Sequence, residues 1–137
     1  MGRVSFIPLL LVFFLGLTSC SPKAESPSLF PSQVVEEFFS ALDRKDYQKA
    51  YSLLVQDFQE QMPLEIFSSS IEQGLSEYNI ISQTWQILGE EVNGDLARVS
   101  YKITSSTQEG KKIEGQGVYI LKKERDGWKI DLSAVTP

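Results

Sequence analysis

The sequence predicts an α+β domain whose N-terminal helices pack on one face of a four-stranded antiparallel sheet. Three observations predict it. Apolar residues recur at helical spacing from Val35 to Leu75, they alternate with polar ones from Tyr78 onward, and Asn93-Gly94, Glu109-Gly110 and Asp126-Gly127 punctuate the second half as turns. Helices first and a meander after them place the helices on one face of the sheet.

In the first helix Val35, Phe38, Phe39 and Leu42 fall at i, i+3, i+4 and i+7, with Ser32 as N-cap and Glu36 and Glu37 near the positive end of the helix dipole. Asp43-Arg44-Lys45 interrupts the pattern, and Asp46 caps a second helix whose stripe runs Tyr47, Ala50, Tyr51, Leu54 and Phe58. Pro63 opens a third helix carrying Leu64, Phe67, Ile71 and Leu75, which Gly74 is expected to end. Strands are expected at 78–92, 96–107, 111–125 and 128–135. The first and last turns are read as two-residue hairpins, the Asn93-Gly94 one of type I′. Strand parity puts Trp85, Ile87, Val99, Tyr101, Ile103, Trp128, Ile130 and Leu132 on the core face, and turns Asp131 outward.

The chain of 137 residues, 42% hydrophobic and 23% charged, has room for one small domain, and it contains one Cys and no His. Without His, nucleophile systems built on imidazole and His-ligated metal centres are excluded. A single Cys excludes an internal disulfide and a Cys-rich zinc site. Arg3 precedes an apolar run from Val4 to Leu17 that is shorter than the roughly 18 residues a bilayer span needs, so it reads as an export signal, with an uncleaved anchor helix as the weaker alternative.

Leu17-Thr18-Ser19-Cys20 resembles the lipobox of bacterial lipoproteins, in which the Cys becomes the lipidated mature N-terminus. A thiolate is the side-chain nucleophile suited to taking a diacylglyceryl group, and two or more acyl chains anchor a protein stably where one does not. The resemblance implies a signal peptide over 1–19, a lipidated tether over 20–31 that is rich in Pro and Ser, and a folded domain over 32–137. It also implies export and attachment to a bacterial membrane through Cys20, with the outer membrane open to it if the cell has one. Cleavage leaves 118 residues and removes Arg3, taking the net charge from −5 to −6. An acidic chain does not suit nucleic acid, and the lipid alone must do the anchoring.

Val35-Glu36-Glu37-Phe38-Phe39-Ser40-Ala41-Leu42, then Asp46-Tyr47-Gln48-Lys49-Ala50-Tyr51, and finally Gly127-Trp128-Lys129-Ile130 resemble the nuclear-transport-factor-2-like superfamily, cystatin-like in outline, and within it small lipoprotein domains without an assigned activity. The resemblance implies a curved sheet wrapped around a long helix into a cone-like shape, with a ligand pocket or a protein-binding surface at its mouth. Enzymes of this fold use carboxylates, a Tyr with a protonated Asp, or His-Asp pairs. The His versions are closed to this chain, and strand parity brings no acid inside.

Trp85, Tyr101, Tyr119 and Trp128 are the candidate pocket-lining residues, each weighed against plain core packing. Gly115-Gln116-Gly117 matches a phosphate loop weakly and fits better a bend, or a place where another backbone or ring comes close. Glu90, Glu91, Asn93 and Asp95 lack the ordered spacing of a calcium loop. Lys111, Lys112, Lys122, Lys123 and Arg125 are read as protection of an exposed strand edge rather than a docking patch. The functional expectation is a membrane-tethered, noncatalytic binding or interaction module of the cell envelope, taking a small apolar ligand or an envelope protein, with no metal and no cofactor. The alternatives are a small isomerase or hydrolase using Asp or Tyr in the cone, and a structural or assembly-accessory lipoprotein.

Overall fold

A computed structural model of the protein describes residues 28–134; the signal segment, Cys20 and the tether up to residue 27 lie outside the described residues. Four helices, α1 (Pro31–Asp43), α2 (Tyr47–Ser52), α3 (Gln56–Gln61) and α4 (Leu64–Glu77), precede four strands, β1 (Ile80–Asn93), β2 (Leu96–Thr107), β3 (Lys112–Glu124) and β4 (Gly127–Asp131). The strands form one antiparallel meander in the order β1-β2-β3-β4. Irregularities between Ile80 and Ser82 and between Ile87 and Gly89 bend the long edge strand β1, as bulges do.

The cap of α1 lies two residues earlier than the Ser32 expected from sequence. Phe30 is the N-cap, Pro31 occupies the first helical position with φ suited to it, and the Gln33 side chain accepts the Phe30 N–H at 2.9 Å. Ser32 is released to donate its hydroxyl to Glu90 of β1 at 3.1 Å. Val34, Val35, Phe38, Phe39 and Ala41 are buried against the sheet and form the core with Ala50, Leu54, Phe67, Ala97, Val99, Leu121 and Ile130.

Asp46 caps α2 as expected, accepting from the Lys49 N–H at 3.1 Å, but the second helix does not run on to Phe58. It breaks at Leu53-Leu54-Val55, where the Ile130 N–H donates to the Leu53 carbonyl at 2.8 Å and the Val55 N–H donates to the Ile130 carbonyl at 2.9 Å. These residues thus make a short parallel bridge along the outer edge of β4. A buried backbone group must find a partner, and here the strand competes successfully with continued helix. Tyr51 then ties α3 down by donating to the carbonyls of Gln59 and Met62.

Gly74 does not stop α4, which continues to Glu77. Asn79, at φ 52, makes the left-handed exit that Gly74 was expected to supply. Both hairpins are offset by one residue from the expected loops. Asn93 pairs with Leu96, so Gly94-Asp95 is the loop, and among the described residues of this turn only Gly94 has positive φ, which rules out type I′. Glu124 pairs with Gly127, leaving Arg125-Asp126 as the second loop. The fourth strand ends at Asp131 rather than at 135 because the chain turns there over Ser133.

Asp131 corrects a further expectation. It does face away from Ile130, but it is 4% exposed rather than solvated. Its carboxylate accepts the Ser133 N–H at 3.0 Å and the Ser133 hydroxyl, and pairs with Lys122 Nζ at 3.0 Å. Desolvation pushes its pKa up, and the Ser133 and Lys122 contacts together outweigh this, so the group sits below the usual carboxylate value. A carboxyl with a depressed folded pKa adds stability above its unfolded pKa, near 4, and that stability is lost as pH falls through the folded value. Asp131→Asn is therefore expected to lower unfolding free energy by about 1–2 kcal/mol near neutral pH, with the gap to wild type closing in acid. Urea unfolding of both proteins at the two pH values measures it, and a gap that persists in acid contradicts the assignment to charge.

Candidate functional site

The hollow of the sheet is filled by rings. α1 delivers Phe38 and Phe39 one residue apart on its buried stripe, and the alternation of the strands delivers Trp85, Tyr101 and Tyr119 from β1, β2 and β3. Phe39 is the hub, with ring centroids 5.7 Å from Trp85, 5.1 Å from Tyr101 and 5.8 Å from Tyr119. Tyr119 meets Phe38 edge-on at 5.9 Å and lies 4.6 Å from Tyr101. Such tilted and edge contacts suit the ring quadrupoles. Burial first, and then the adjoining Tyr101 phenol, push the Tyr119 hydroxyl well above its usual pKa, so it stays protonated throughout the physiological range.

Tyr101 lies across its register partner Gly117, where a Cβ would fall 2.5 Å from the Tyr101 hydroxyl oxygen. The second glycine of Gly115-Gln116-Gly117 is thus required by a ring, whereas Gly115 has open space around it. What remains of the hollow is a chamber of about 110 Å³ lined by Phe39, Leu42, Trp85, Ile103 and Tyr119, with Asp43, Gln83 and Thr84 around it. That is below the roughly 300 Å³ at which small-molecule sites begin.

Leu42, Asp43 and Gln83 also border a wider cleft of about 360 Å³, between the end of α1, the last turns of α4 and the start of β1. Its polar lining includes Lys45, Glu72, Ser76, Asn79, Ser82 and Gln108. Glu72 accepts the Tyr47 hydroxyl and lies 3.7 Å from Lys45 Nζ. Burial, and then the bond to Glu72, push the Tyr47 phenol up to about 12. Gln83 donates to the Ser105 hydroxyl at 2.9 Å. The cleft can hydrogen-bond a polar group, and the chamber behind it can receive a small apolar one.

Of the four candidate pocket residues, the structure brings Trp85, Tyr101 and Tyr119 together and leaves Trp128 apart. Trp128 stands beside the β3–β4 turn, packed on the core, with Lys123 Nζ 5.9 Å above its ring. Asp43 and Gln83 were not singled out from sequence. Both sit among polar surface residues, and only the meeting of the end of α1 with β1 gives them a place. Lys122 and Lys123 do not guard an edge, because β4 pairs with β3 from Ile120 to Glu124, whereas Lys112 lies on the stretch of β3 that β4 does not reach. Lys122 is bound to Asp131 and Lys111 lies 3.9 Å from Glu109. Among the described residues no group of three or more His, Cys, Asp or Glu is placed to hold a metal ion.

Solved structures share this architecture. A SEC-C motif containing protein of Rhodopseudomonas palustris aligns with a TM-score of 0.61 at 13% identity, over 74% of each chain. A Streptomyces avermitilis protein of the nuclear-transport-factor-2-like family, provisionally titled a dehydratase, aligns at 0.52 and 17% identity over 72% of this chain and 86% of its own. A nuclear-transport-factor-2-like protein of unknown function from Burkholderia pseudomallei aligns at 0.52 and 12% identity over 73% and 86%. At such identities the likeness establishes the fold alone. No curated protein matches the chain in sequence. The family model described as a domain of unknown function, DUF4864, matches residues 30–136, from the N-cap of α1 past the end of β4, and the chain belongs to that family, built on a nuclear-transport-factor-2-like fold.

Proposed function

We propose that the protein is an exported lipoprotein, anchored through Cys20 to a bacterial membrane, whose domain serves as a noncatalytic binding or interaction module of the envelope. The observation that carries the noncatalytic part is the filled hollow: five rings occupy the space where a substrate would sit, and the buried acid, Asp131, lies on the opposite face bound to Lys122. Anchoring rests on the lipobox at Leu17-Thr18-Ser19-Cys20. A ligand of this site is a molecule whose polar part stays in the cleft and whose apolar part is no larger than a few heavy atoms.

Asp43 supports one competing reading, a small isomerase or hydrolase, because it borders both the chamber and the cleft. The two differ in the consequence of Asp43→Asn, which abolishes turnover in an enzyme and leaves a binder folded and occupied. Anchoring is tested by Cys20→Ala, expected to move the protein out of the membrane fraction and to end its labelling by fatty acid. Unchanged partitioning with no label on wild type removes the lipoprotein reading. Native mass spectrometry of the Cys20→Ala chain, expected to retain a ligand or partner, tests the binding role; a bare monomer that turns over ester or carbonyl substrates decides for the enzyme.

A further inference from the structure

The two ends of the domain differ. The β1–β2 turn at Gly94-Asp95 and the β3–β4 turn at Arg125-Asp126 lie at one end, held together by the bond from the Lys123 N–H to the Asp95 carbonyl at 2.9 Å. The start of α1 lies at the same end, since Ser32 bonds Glu90 of β1. The β2–β3 turn and the exit of α4 lie at the other end, joined by the Gln108 N–H and the Asn79 carbonyl at 2.9 Å, and there the cleft opens. The twelve residues of β2 separate the ends by roughly 35–40 Å.

Large apolar side chains are exposed at both ends and at Ile66 on α4, and four of the nine among the described residues stand at the first end. Leu29 and Phe30 (45% and 67% exposed) stand where the chain enters α1, and Val92 and Leu96 (55% and 51%) flank the β1–β2 turn, with Leu88 further along β1. At the far end Tyr78, Ile81 and Ile113 are exposed, of which Ile81 belongs to the cleft. An N-cap is a position that favours Ser, Thr, Asp or Asn, and a hairpin tip favours polar residues. The side chains of Phe30, Val92 and Leu96 are thus left to solvent at positions where polar ones are usual. Nine residues separate Cys20 from Phe30, so this end can stand no further than about 36 Å from the anchored residue, and about 17 Å on average for a flexible chain.

We propose that this apolar end, Leu29, Phe30, Val92 and Leu96, rests in the interfacial layer of the bilayer that holds the lipid anchor, so that the cleft opens away from the membrane. The proposal rests on the lipoprotein reading above. The tether supplies the effective concentration, so a contact too weak to bind a free protein is sufficient for a bound one. Glu91 and Asp95 beside the tip keep the contact shallow, since carboxylates resist entry into hydrocarbon. Val92 lies on the face of its partner Ala97 and Leu96 on the opposite one, so the contact is made end-on by the tip, and contact at the headgroup boundary needs no span across the bilayer.

The test uses the full chain, expressed with its signal and reconstituted in vesicles of phosphatidylethanolamine with minor phosphatidylglycerol. Cys20 carries the lipid in this reading and the domain has no other Cys, so Val92→Cys, Leu96→Cys and Glu109→Cys each present one thiol for an environment-sensitive fluorophore. The dye at 92 and 96 is expected to shift blue and to be quenched several-fold more by headgroup-labelled lipid than the dye at 109. Equal, water-like emission at all three positions on a chain that carries fatty acid overturns the orientation and leaves the anchor standing. A chain without fatty acid removes both. Photocrosslinking from position 92 in cells to a protein, with no lipid adduct, also overturns it by assigning the surface to a protein partner.

Discussion

Phe39→Ala is expected to lower the unfolding free energy by about 3–5 kcal/mol, the range for truncating a buried ring in a core. Phe39 is 5% exposed and touches four other rings, so the surrounding strands, fixed by their ladder, cannot collapse into the vacated space. For a domain of this size total stability is on the order of 5–15 kcal/mol, so the variant should melt tens of degrees lower or populate unfolded chain at growth temperature. The same truncation enlarges the 110 Å³ chamber by a benzene-sized volume. Apolar cavities of about 150 Å³ stay dry and accept benzene. Benzene should therefore raise the melting temperature of Phe39→Ala and leave wild type unmoved. A loss under about 1 kcal/mol, or equal stabilisation of both proteins, contradicts the packing described.

Gly117→Ala is expected to destabilise by about 1–3 kcal/mol, the usual penalty of overpacking, where an ordinary strand would gain from the exchange. The new methyl would meet the Tyr101 hydroxyl oxygen at 2.5 Å and the ring carbon bearing it at 2.7 Å. A flexible side chain could swing clear, but Tyr101 is held between Phe39 and Tyr119. Relief must come from the ring itself, so Tyr101→Leu should recover much of the loss in the double variant although it costs stability alone. Denaturant midpoints of the four proteins give the coupling; additive losses would mean that methyl and ring do not meet.

The parts of the fold that depend on neighbours in sequence were legible from it. The stripe Val35, Phe38, Phe39 and Leu42, and the alternation through Ala97, Val99, Tyr101 and Ile103, each carry their own period, and the structure keeps both. What was illegible depends on residues far away. Leu53-Leu54-Val55 continues a helical stripe as well as any triplet could, and only Ile130, more than seventy residues on, converts it to a bridge. Asp131 reads as an outward acid because parity reports direction and not what the chain does next; the turn through Ser133 buries it. The site divides the same way. Trp85, Tyr101 and Tyr119 share a parity and meet, Trp128 shares it and does not, since β4 begins at the far end of β3 from the chamber. Asp43 and Gln83 carry no local signal at all.

The bridge between Leu54 and Ile130 also sets when the domain can become a domain. The junction at residues 53–55, between α2 and α3, finds its backbone partners only once β4 has arrived, since Ile130 supplies both of them. Contacts of such long sequence separation slow folding, because the loop must be closed before they give anything back. In a chain emerging from its N-terminus this junction is therefore among the last parts to close. On the export we propose, a junction completed only by the last strand leaves α2 and α3 loosely joined until that strand has been delivered.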